Sequence, residues 1–177
     1  MSISKDNNNN KNQNTEIFLA DFSDIDQMDA ISQEIWGENG KYSKDYYTSI
    51  IKQKLSYVYK EKNGEIIAFC LARYDSKSNQ VLIALLCVKK THQRKGLGKT
   101  LLQFCINDCS KKGFENFYLH VAVTNKAAIS LYLKLGFKGA MYLPNYYKRE
   151  KSPYNEAFLM KLENGNKTLD KEPKKGT

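Results

Sequence analysis

Residues 92–102 read HQRKGLGKTLL and combine two glycines, three cationic side chains and a histidine in eleven positions. The apolar run QVLIALLCV precedes this stretch, and apolar residues at helical spacing follow it, which predicts a strand, a glycine loop and a helix. Glycines allow the backbone to approach a ligand, and the free N–H groups at a helix N-terminus attract anions. A phosphate group is therefore the expected ligand of the loop.

Two well-known phosphate-binding motifs do not fit this stretch. The P-loop pattern G-x-x-x-x-G-K-[ST] is absent, and Leu101 stands where the Rossmann fingerprint G-x-G-x-x-G has its third glycine. Taken alone, the stretch fits an ordinary glycine turn with solvated lysines as well as it fits a phosphate site. Five cations surround the loop, namely Lys89, Lys90, Arg94, Lys95 and Lys99.

Composition predicts one folded domain between two polar tails. The chain has 177 residues, of which 41% are hydrophobic, and no apolar run approaches the roughly 20 residues that a membrane span requires. Residues 1–15 and 163–177 are predicted to be disordered, which leaves 16–162 as the domain. The N-terminus lacks an apolar signal segment. The four cysteines form no CxxC pair and fit buried thiols in a reducing cytosol. We expect a cytoplasmic protein without a membrane partner.

The net charge of +9 belongs mainly to the domain, because each polar tail carries only +1. A basic domain favours an anionic partner, which could be nucleic acid, a ribosome, a membrane surface or a phosphorylated cofactor. Charge alone does not choose among them. Two histidines and scattered thiols do not form a metal-ligand pattern, so we expect no metal.

Hydrophobic periodicity predicts the element order βααβββαβαββ, an α+β domain with a mixed sheet and one βαβ crossover. In 116–123, Phe117, Leu119 and Val121 alternate with Tyr118 and His120, so the two sets should face opposite sides of a strand. Ser23 or Asp24 is expected to cap the first helix, and Thr124 or Asn125 the last. The predicted strands are 16–22, a hairpin within 55–75, 80–88, 116–123, 137–142 and 155–162, and the helices are 24–36, 43–54, 97–112 and 125–135.

Two motifs resemble those of the GNAT acetyltransferases. QRKGLG at 93–98 matches the family's Q/R-x-x-G-x-G/A motif, whose amides bind the pyrophosphate of acetyl-CoA. NKAAISLYLKLGF at 125–137 resembles its second cofactor segment, N-x-x-A-x-x-L/F-Y-x-K-x-G-F. The resemblance covers nearly all of 16–162. It implies the GNAT-type acyl-CoA N-acyltransferase fold, a mixed and mostly antiparallel central sheet flanked by helices. It also implies acetyl-CoA as acetyl donor, held by Cys87, Val88, Gln93, Arg94, Lys95, Gly96, Leu97, Gly98, Lys99, Asn125 and Tyr132.

Within that superfamily, the sequence is most similar to the catalytic subunits of protein N-terminal acetyltransferases. LHV at 119–121 follows their pattern, and NYYKR at 145–149 resembles the loop with which the NatE type covers the substrate's N-terminus. WGEN at 36–39 lies where the NatA type has LPEN, so Gly37 replaces a proline. A protein or peptide N-terminus is thus the implied substrate, with no specific nucleic acid. An auxiliary subunit or ribosome association is left open. The implied substrate-binding residues are Trp36, Gly37, Glu38, Tyr146 and Tyr147.

The resemblance implies direct attack of an amine on the thioester, with His120, Glu38 and Tyr132 as catalytic residues. His120 is the expected general base, acting directly or through a water, because its ordinary pKa lies near neutrality. Glu38 is a second base candidate, and Tyr132 would protonate the departing thiolate. Leu82 occupies the position of the NatE-type catalytic tyrosine, which favours a Glu38–His120 pair of the NatA type.

Simpler roles remain open for each of these residues. His120 could be an ordinary half-buried strand residue, Tyr132 a core aromatic, Glu38 a solvated carboxylate, and Tyr146 and Tyr147 loop anchors. Two other functions also remain open. A GNAT enzyme could act on lysine side chains, polyamines or another small amine, and a non-enzymatic protein could bind ribosomal RNA or serve as a cofactor-binding subunit.

Overall fold

The computed structural model describes residues 15–147 and 155–163 and confirms the predicted element order. The predicted tails lie outside these residues, apart from Thr15 and Glu163. The α-helices are α1 Ile25–Trp36, α2 Lys44–Ile51, α3 Leu97–Lys111 and α4 Lys126–Lys134. The strands are β1 Thr15–Leu19, β2 Tyr57–Glu61, β3 Ile66–Asp75, β4 Gln80–Val88, β5 Phe117–Ala122, β6 Lys138–Leu143 and β7 Ala157–Leu162.

The described strands form a seven-stranded sheet in the order β1-β2-β3-β4-β5-β7-β6. β1 with β2, β2 with β3, β5 with β7 and β6 with β7 pair antiparallel. β4 and β5 pair in parallel, as expected of a crossover through α3. The prediction of a mixed, mostly antiparallel sheet is therefore confirmed. Among the described helices, none has the length and apolar character needed to cross a membrane.

The described chain forms two compact units, of which the first contains residues 15–74 and 84–105. Its core is built by α1 and α2 against the strands, because Met28, Ile31, Tyr47 and Ile50 recur at helical spacing and are buried. Asp24, one of the two predicted residues, is the N-cap of α1, but its side chain makes no capping hydrogen bond to that helix. The side-chain cap belongs to the short 3-10 turn Phe22–Asp24 that precedes α1, and its N-cap residue is Asp21. Its carboxylate accepts the Ser23 N–H at 3.0 Å, and Asp24 accepts the Asp21 N–H in return.

In the same unit, residues 84–88 of β4 lead through the glycine loop into the first part of α3, residues 97–105. Leu97, Leu101 and Cys105 are buried, as their i, i+4 spacing predicts. A continuous apolar run such as that of β4 is typical of a strand covered on both faces, and the structure agrees with this only in part. Its residues alternate between buried and half-buried positions along the strand.

The second unit contains residues 75–83 and 106–177, and its described part includes β5, α4, β6 and β7. Phe117, Leu119 and Val121 are buried, whereas Tyr118 and His120 are half-buried, so the predicted alternation of β5 is confirmed. Asn125 caps α4, since its side-chain oxygen accepts the Ala128 N–H at 3.1 Å. Lys138 to Tyr142 of β6 are exposed.

Candidate active site

The glycine loop in the first unit presents a row of backbone amides. Lys90–His92 form a short 3-10 turn, and the Gln93 side chain closes it by donating to the carbonyl of Val88 at 3.0 Å. The Thr100 N–H donates to the Gly96 carbonyl at 3.1 Å, which makes Gly96 the start of the helical ladder. The N–H groups of residues 96–99 therefore precede Thr100, the first donor of this ladder, and face outward from the helix N-terminus.

Two residues of this loop adopt left-handed backbone conformations. Arg94 has a φ of 65° and Gly96 a φ of 84°. A Cβ added at Gly96 would meet no atom within 4 Å, so the glycine is required by backbone conformation and not by lack of space. Successive amides that turn through such conformations form a concave surface that suits an anion.

The cations of the loop fall into two groups. Lys90, Arg94, Lys95 and Lys99 are exposed and carry the positive charge around the amides. Lys89 instead pairs with Glu65 of the hairpin, which raises the pKa of the lysine and lowers that of the carboxyl. Next to it, His92 Nε2 lies 3.3 Å from Glu61, a second link between the turn and the hairpin. These residues fit a diphosphate, which needs donors and cations together.

Three of the predicted substrate-binding residues, Trp36, Gly37 and Glu38, lie at the end of α1 and in the turn that follows it. Trp36 is half-buried and packs against the core of this unit, whereas Gly37 and Glu38 are exposed. Gly37 has a φ of 59° and a ψ of −141°, a conformation that glycine alone adopts readily. A proline, with its φ near −65°, could not take this conformation. The loop therefore differs from the proline-containing loop of the NatA type.

The carboxylate of Asp29 on α1 binds residues that follow this loop in the sequence. Asp29 was not predicted as a site residue. One carboxylate oxygen accepts the Tyr42 N–H at 3.3 Å and the Tyr47 hydroxyl at 3.2 Å. The other accepts the Gln33 amide at 2.6 Å. Burial raises the pKa of Tyr47, whose hydroxyl also lies 3.0 Å from that of Ser32. Three groups from different parts of the segment thus converge on one carboxylate.

In the second unit, His120 on β5 contacts the loop that follows β6. Its imidazole stacks on Tyr146, with ring centroids 4.4 Å apart and planes inclined by 18°. Tyr147 meets Tyr146 edge-on at 5.0 Å, and its N–H donates to the Asn155 carbonyl. Burial lowers the pKa of His120 from its ordinary 6.5, because desolvation disfavours the imidazolium. The imidazole is therefore neutral at physiological pH.

Tyr118, two residues before His120, is a second neighbour of the imidazole, and it was not predicted as a site residue. The two rings meet edge-on with centroids 5.8 Å apart, and the Tyr118 hydroxyl donates to Asp75 at 3.0 Å. The alternation of β5 was the available signal, since it placed both rings on one face. Leu82, the residue at the position of the NatE-type tyrosine, pairs in register with Tyr118.

Tyr132 and Asn125 already have structural roles in α4. Tyr132 is only 8% exposed, and its ring packs at 5.9 Å against Phe137. Asn125 is exposed, and its side-chain oxygen is engaged in the helix cap. Core packing and a contact with the coenzyme are compatible for Tyr132, so its predicted role stays a prediction.

The structure thus brings His120, Tyr146 and Tyr147 together in one unit. Glu38 and the glycine loop belong to the other unit, and the predicted Glu38–His120 pair stays a prediction. Lys148 and Arg149 of the predicted substrate loop lie outside the described residues. Within 15–147 and 155–163, no group of three or more His, Cys, Asp or Glu side chains is placed to hold a metal ion.

The sequence profile of the acetyltransferase (GNAT) family matches residues 16–137. N-alpha-acetyltransferase 50 of Danio rerio is 34% identical over 130 residues, which cover 71% of this chain and 75% of that protein. The [Ribosomal protein bS18]-alanine N-acetyltransferase of Escherichia coli strain K12 is 35% identical over 86 residues. This match covers 49% of this chain and only 57% of that relative.

Solved structures share the fold. The crystal structure of the ribosomal-protein-S18-alanine N-acetyltransferase from Escherichia coli has a TM-score of 0.74 at 26% identity, over 85% of this chain and 94% of that one. Arabidopsis thaliana Naa50 in complex with the bisubstrate analogue CoA-Ac-MVNAL has a TM-score of 0.70 at 22% identity, over 84% and 97%. At that identity the likeness shows the fold alone.

Proposed function

The chain belongs to the acetyltransferase (GNAT) family, and from that premise we propose that it acetylates the α-amino group of protein N-termini. Family membership makes it an acetyl-CoA-dependent N-acetyltransferase, with its predicted fold class confirmed. The identity of the acceptor is the proposed part. The names of the two relatives above support a protein acceptor, since one is an N-alpha-acetyltransferase and the other acts on a ribosomal protein.

The contact between His120 and Tyr146 is the observation that carries the proposal. It joins the expected general base to the loop expected to cover the substrate's N-terminus, at a ring separation of 4.4 Å. A neutral, half-buried imidazole can accept a proton from an amine, directly or through a water. Two aromatic side chains beside it give the acceptor a surface that excludes solvent.

The proposed reaction forms a C–N bond and breaks the C–S bond of the thioester. The amine nitrogen attacks the carbonyl carbon, a ring nitrogen of His120 takes the amine's proton, and the Tyr132 hydroxyl protonates the departing thiolate. The outward amides at 96–99 and the four exposed cations would hold the diphosphate of acetyl-CoA. No covalent enzyme intermediate is needed. Glu38, exposed on its turn, would assist proton removal.

The physical chemistry of amines favours an α-amino acceptor over a lysine side chain. At pH 7.5 about one third of an α-amino group with a pKa near 7.8 is neutral, against about 0.1% of a lysine. A half-buried imidazole is a weak base and cannot efficiently deprotonate a lysine ammonium. An acceptor of which a substantial fraction is already neutral therefore suits the observed environment of His120.

An acceptor panel tests the proposal. Peptides with a free N-terminus should be acetylated, whereas the same peptides with a blocked N-terminus and a free lysine should be inert, as should spermidine. Mass spectrometry of the products measures this directly. Acetylation of the blocked peptide or of spermidine alone would favour the alternative, a GNAT enzyme acting on lysines or polyamines. A mixed library of N-terminal sequences would then define the first-residue preference.

We also propose a cytoplasmic location. Its support is that all four cysteines are buried in the thiol form, as in a reducing compartment. The positive charge of the domain fits association with a ribosome, and an auxiliary subunit stays an open proposal. Sedimentation of the protein with ribosomes at increasing salt would test ribosome association, because a charge-driven contact weakens steeply as salt rises.

A further inference from the structure

Tyr118 and His120 lie side by side on the half-buried face of β5. Their rings meet nearly at right angles, with an interplanar angle of 87° and a centroid distance of 5.8 Å. This edge-to-face arrangement is a favoured one for aromatic pairs. Because the stacked ring of Tyr146 also contacts the imidazole, two tyrosines limit how His120 can turn.

The far end of Tyr118 is held by a carboxylate that is itself fixed. Asp75 accepts the Tyr118 hydroxyl at 3.0 Å on the same oxygen that accepts the Ser78 hydroxyl at 2.8 Å. Its other oxygen accepts the Lys77 N–H at 3.1 Å. The turn between β3 and β4 therefore sets the position of Asp75, and Asp75 sets the direction of the Tyr118 ring.

Among the described residues of the neighbouring strand and loop, few charged groups face the imidazole. On β7, Leu159 pairs with His120 and Lys161 pairs with Tyr118, so both lie on this face. Tyr146 and Tyr147 approach from the loop after β6, and Asp75 reaches the imidazole only through Tyr118. Burial, not a charged neighbour, is the cause of the lowered pKa of His120.

We infer that Tyr118, held by Asp75, is a positioning residue that fixes the imidazole of His120 and shields it from water. It does so through its ring edge and need not touch the substrate. The consequence for catalysis rests on the proposed function, because it requires His120 to be the base. The consequence for the imidazole itself does not, since it follows from the contacts alone.

The test compares Tyr118→Ala, which removes the ring, with Tyr118→Phe, which removes only the bond to Asp75. The chain has two histidines, so proton NMR gives two imidazole titrations, and His120→Gln assigns one of them. In Tyr118→Ala the pKa of His120 should rise toward its ordinary value. Tyr118→Phe should move it in the same direction by less. Tyr74→Ala, which replaces a half-buried strand tyrosine of the first unit, is the matched control and should leave the His120 titration unchanged.

Kinetics provide a second readout. In Tyr118→Ala we expect kcat to fall about tenfold, with KM for the peptide within about twofold, because orientation of the base matters only in the reaction step. An unchanged His120 titration in a folded variant overturns the inference, even if kcat falls. Should Tyr118→Ala fail to fold, Tyr118→Phe decides by the same titration. If the wild-type chain acetylates no α-amine, the proposed function fails, and the titration still decides the positioning role.

Discussion

The imidazole of His120 and the ring of Tyr146 stack with their centroids 4.4 Å apart. The resemblance to the family implies proton transfer for His120 and substrate binding for Tyr146. Their contact means that the arrival of an acceptor at the loop would directly change the surroundings of the base.

Replacing His120 by Gln should lower kcat about 100-fold or more, the usual contribution of a general base. The glutamine keeps a polar side chain on β5 but cannot accept a proton at neutral pH. Binding of acetyl-CoA, measured by calorimetry, should stay within about twofold because the diphosphate contacts are assigned to the glycine loop. Near wild-type turnover in this variant would remove His120 from the mechanism.

We expect kcat to fall at acidic pH as His120 is protonated, and the midpoint of this fall should lie below pH 6.5. Burial disfavours the imidazolium, so the pKa of His120 is lowered, and the active neutral form persists to lower pH than for an exposed histidine. Turnover of bound substrate should fall only as pH drops through that lowered value. A profile of kcat from pH 5 to 9 measures this. An acidic fall of kcat whose midpoint lies above pH 6.5, and which is absent in His120→Gln, would contradict the buried environment of His120.

Gly96→Ala should weaken acetyl-CoA binding, and Gly64→Ala is its matched control. The two glycines have φ values of 84° and 83°, and neither has an atom within 4 Å of an added Cβ. Both variants should therefore lose about 1 kcal/mol of folding stability through backbone strain. Only Gly96→Ala should reduce affinity in calorimetry, and Gly96→Glu should abolish it. Equal loss of affinity in Gly64→Ala would show that strain alone, not the loop, is responsible.

Glu38→Gln should reduce acetylation of a peptide N-terminus by about tenfold if Glu38 assists the base. The exchange keeps the size of an exposed side chain and removes its charge. Glu115→Gln, also at an exposed site, controls for the loss of one negative charge and should match the wild type. Initial rates of both variants at saturating acetyl-CoA give the comparison. Equal rates in Glu38→Gln and Glu115→Gln would show that Glu38 is a solvated carboxylate without a catalytic role.

Tyr132→Phe should lower kcat by about tenfold without unfolding the chain. The phenylalanine ring preserves the packing against Phe137 at 5.9 Å, while the proposed proton donor for the thiolate is lost. Thermal denaturation should show a Tm close to that of the wild type. If kcat is unchanged, Tyr132 serves the core alone.

Local patterns predicted most of the fold. The alternation of Phe117 to Val121 and the spacing of Leu97, Leu101 and Cys105 depend only on neighbouring residues, and the structure confirms both. Helix ends were less certain, because Asp21, Ser23 and Asp24 can all accept an N–H group. Asp24 is the N-cap of α1, as one of the two predicted positions, whereas the side-chain cap is made by Asp21 at the preceding 3-10 turn, which only the backbone geometry reveals.

The candidate site was predicted less completely, because its contacts join distant parts of the chain. Tyr118 and Asp75 are 43 positions apart, and their hydrogen bond has no sequence signature. The convergence of Tyr42 and Tyr47 on Asp29 is hidden for the same reason. Gly37 was recognised as a departure from proline, but its positive φ could be read only from the structure.

The acceptor preference is tested most directly by one peptide that carries both a free α-amino group and an internal lysine. The wild-type chain is incubated with this peptide and acetyl-CoA at pH 7.5, and fragmentation in the mass spectrometer locates the added acetyl group. The α-amino group should carry it in essentially every product molecule. An acetyl group on the lysine, with the N-terminus left free, would contradict the account.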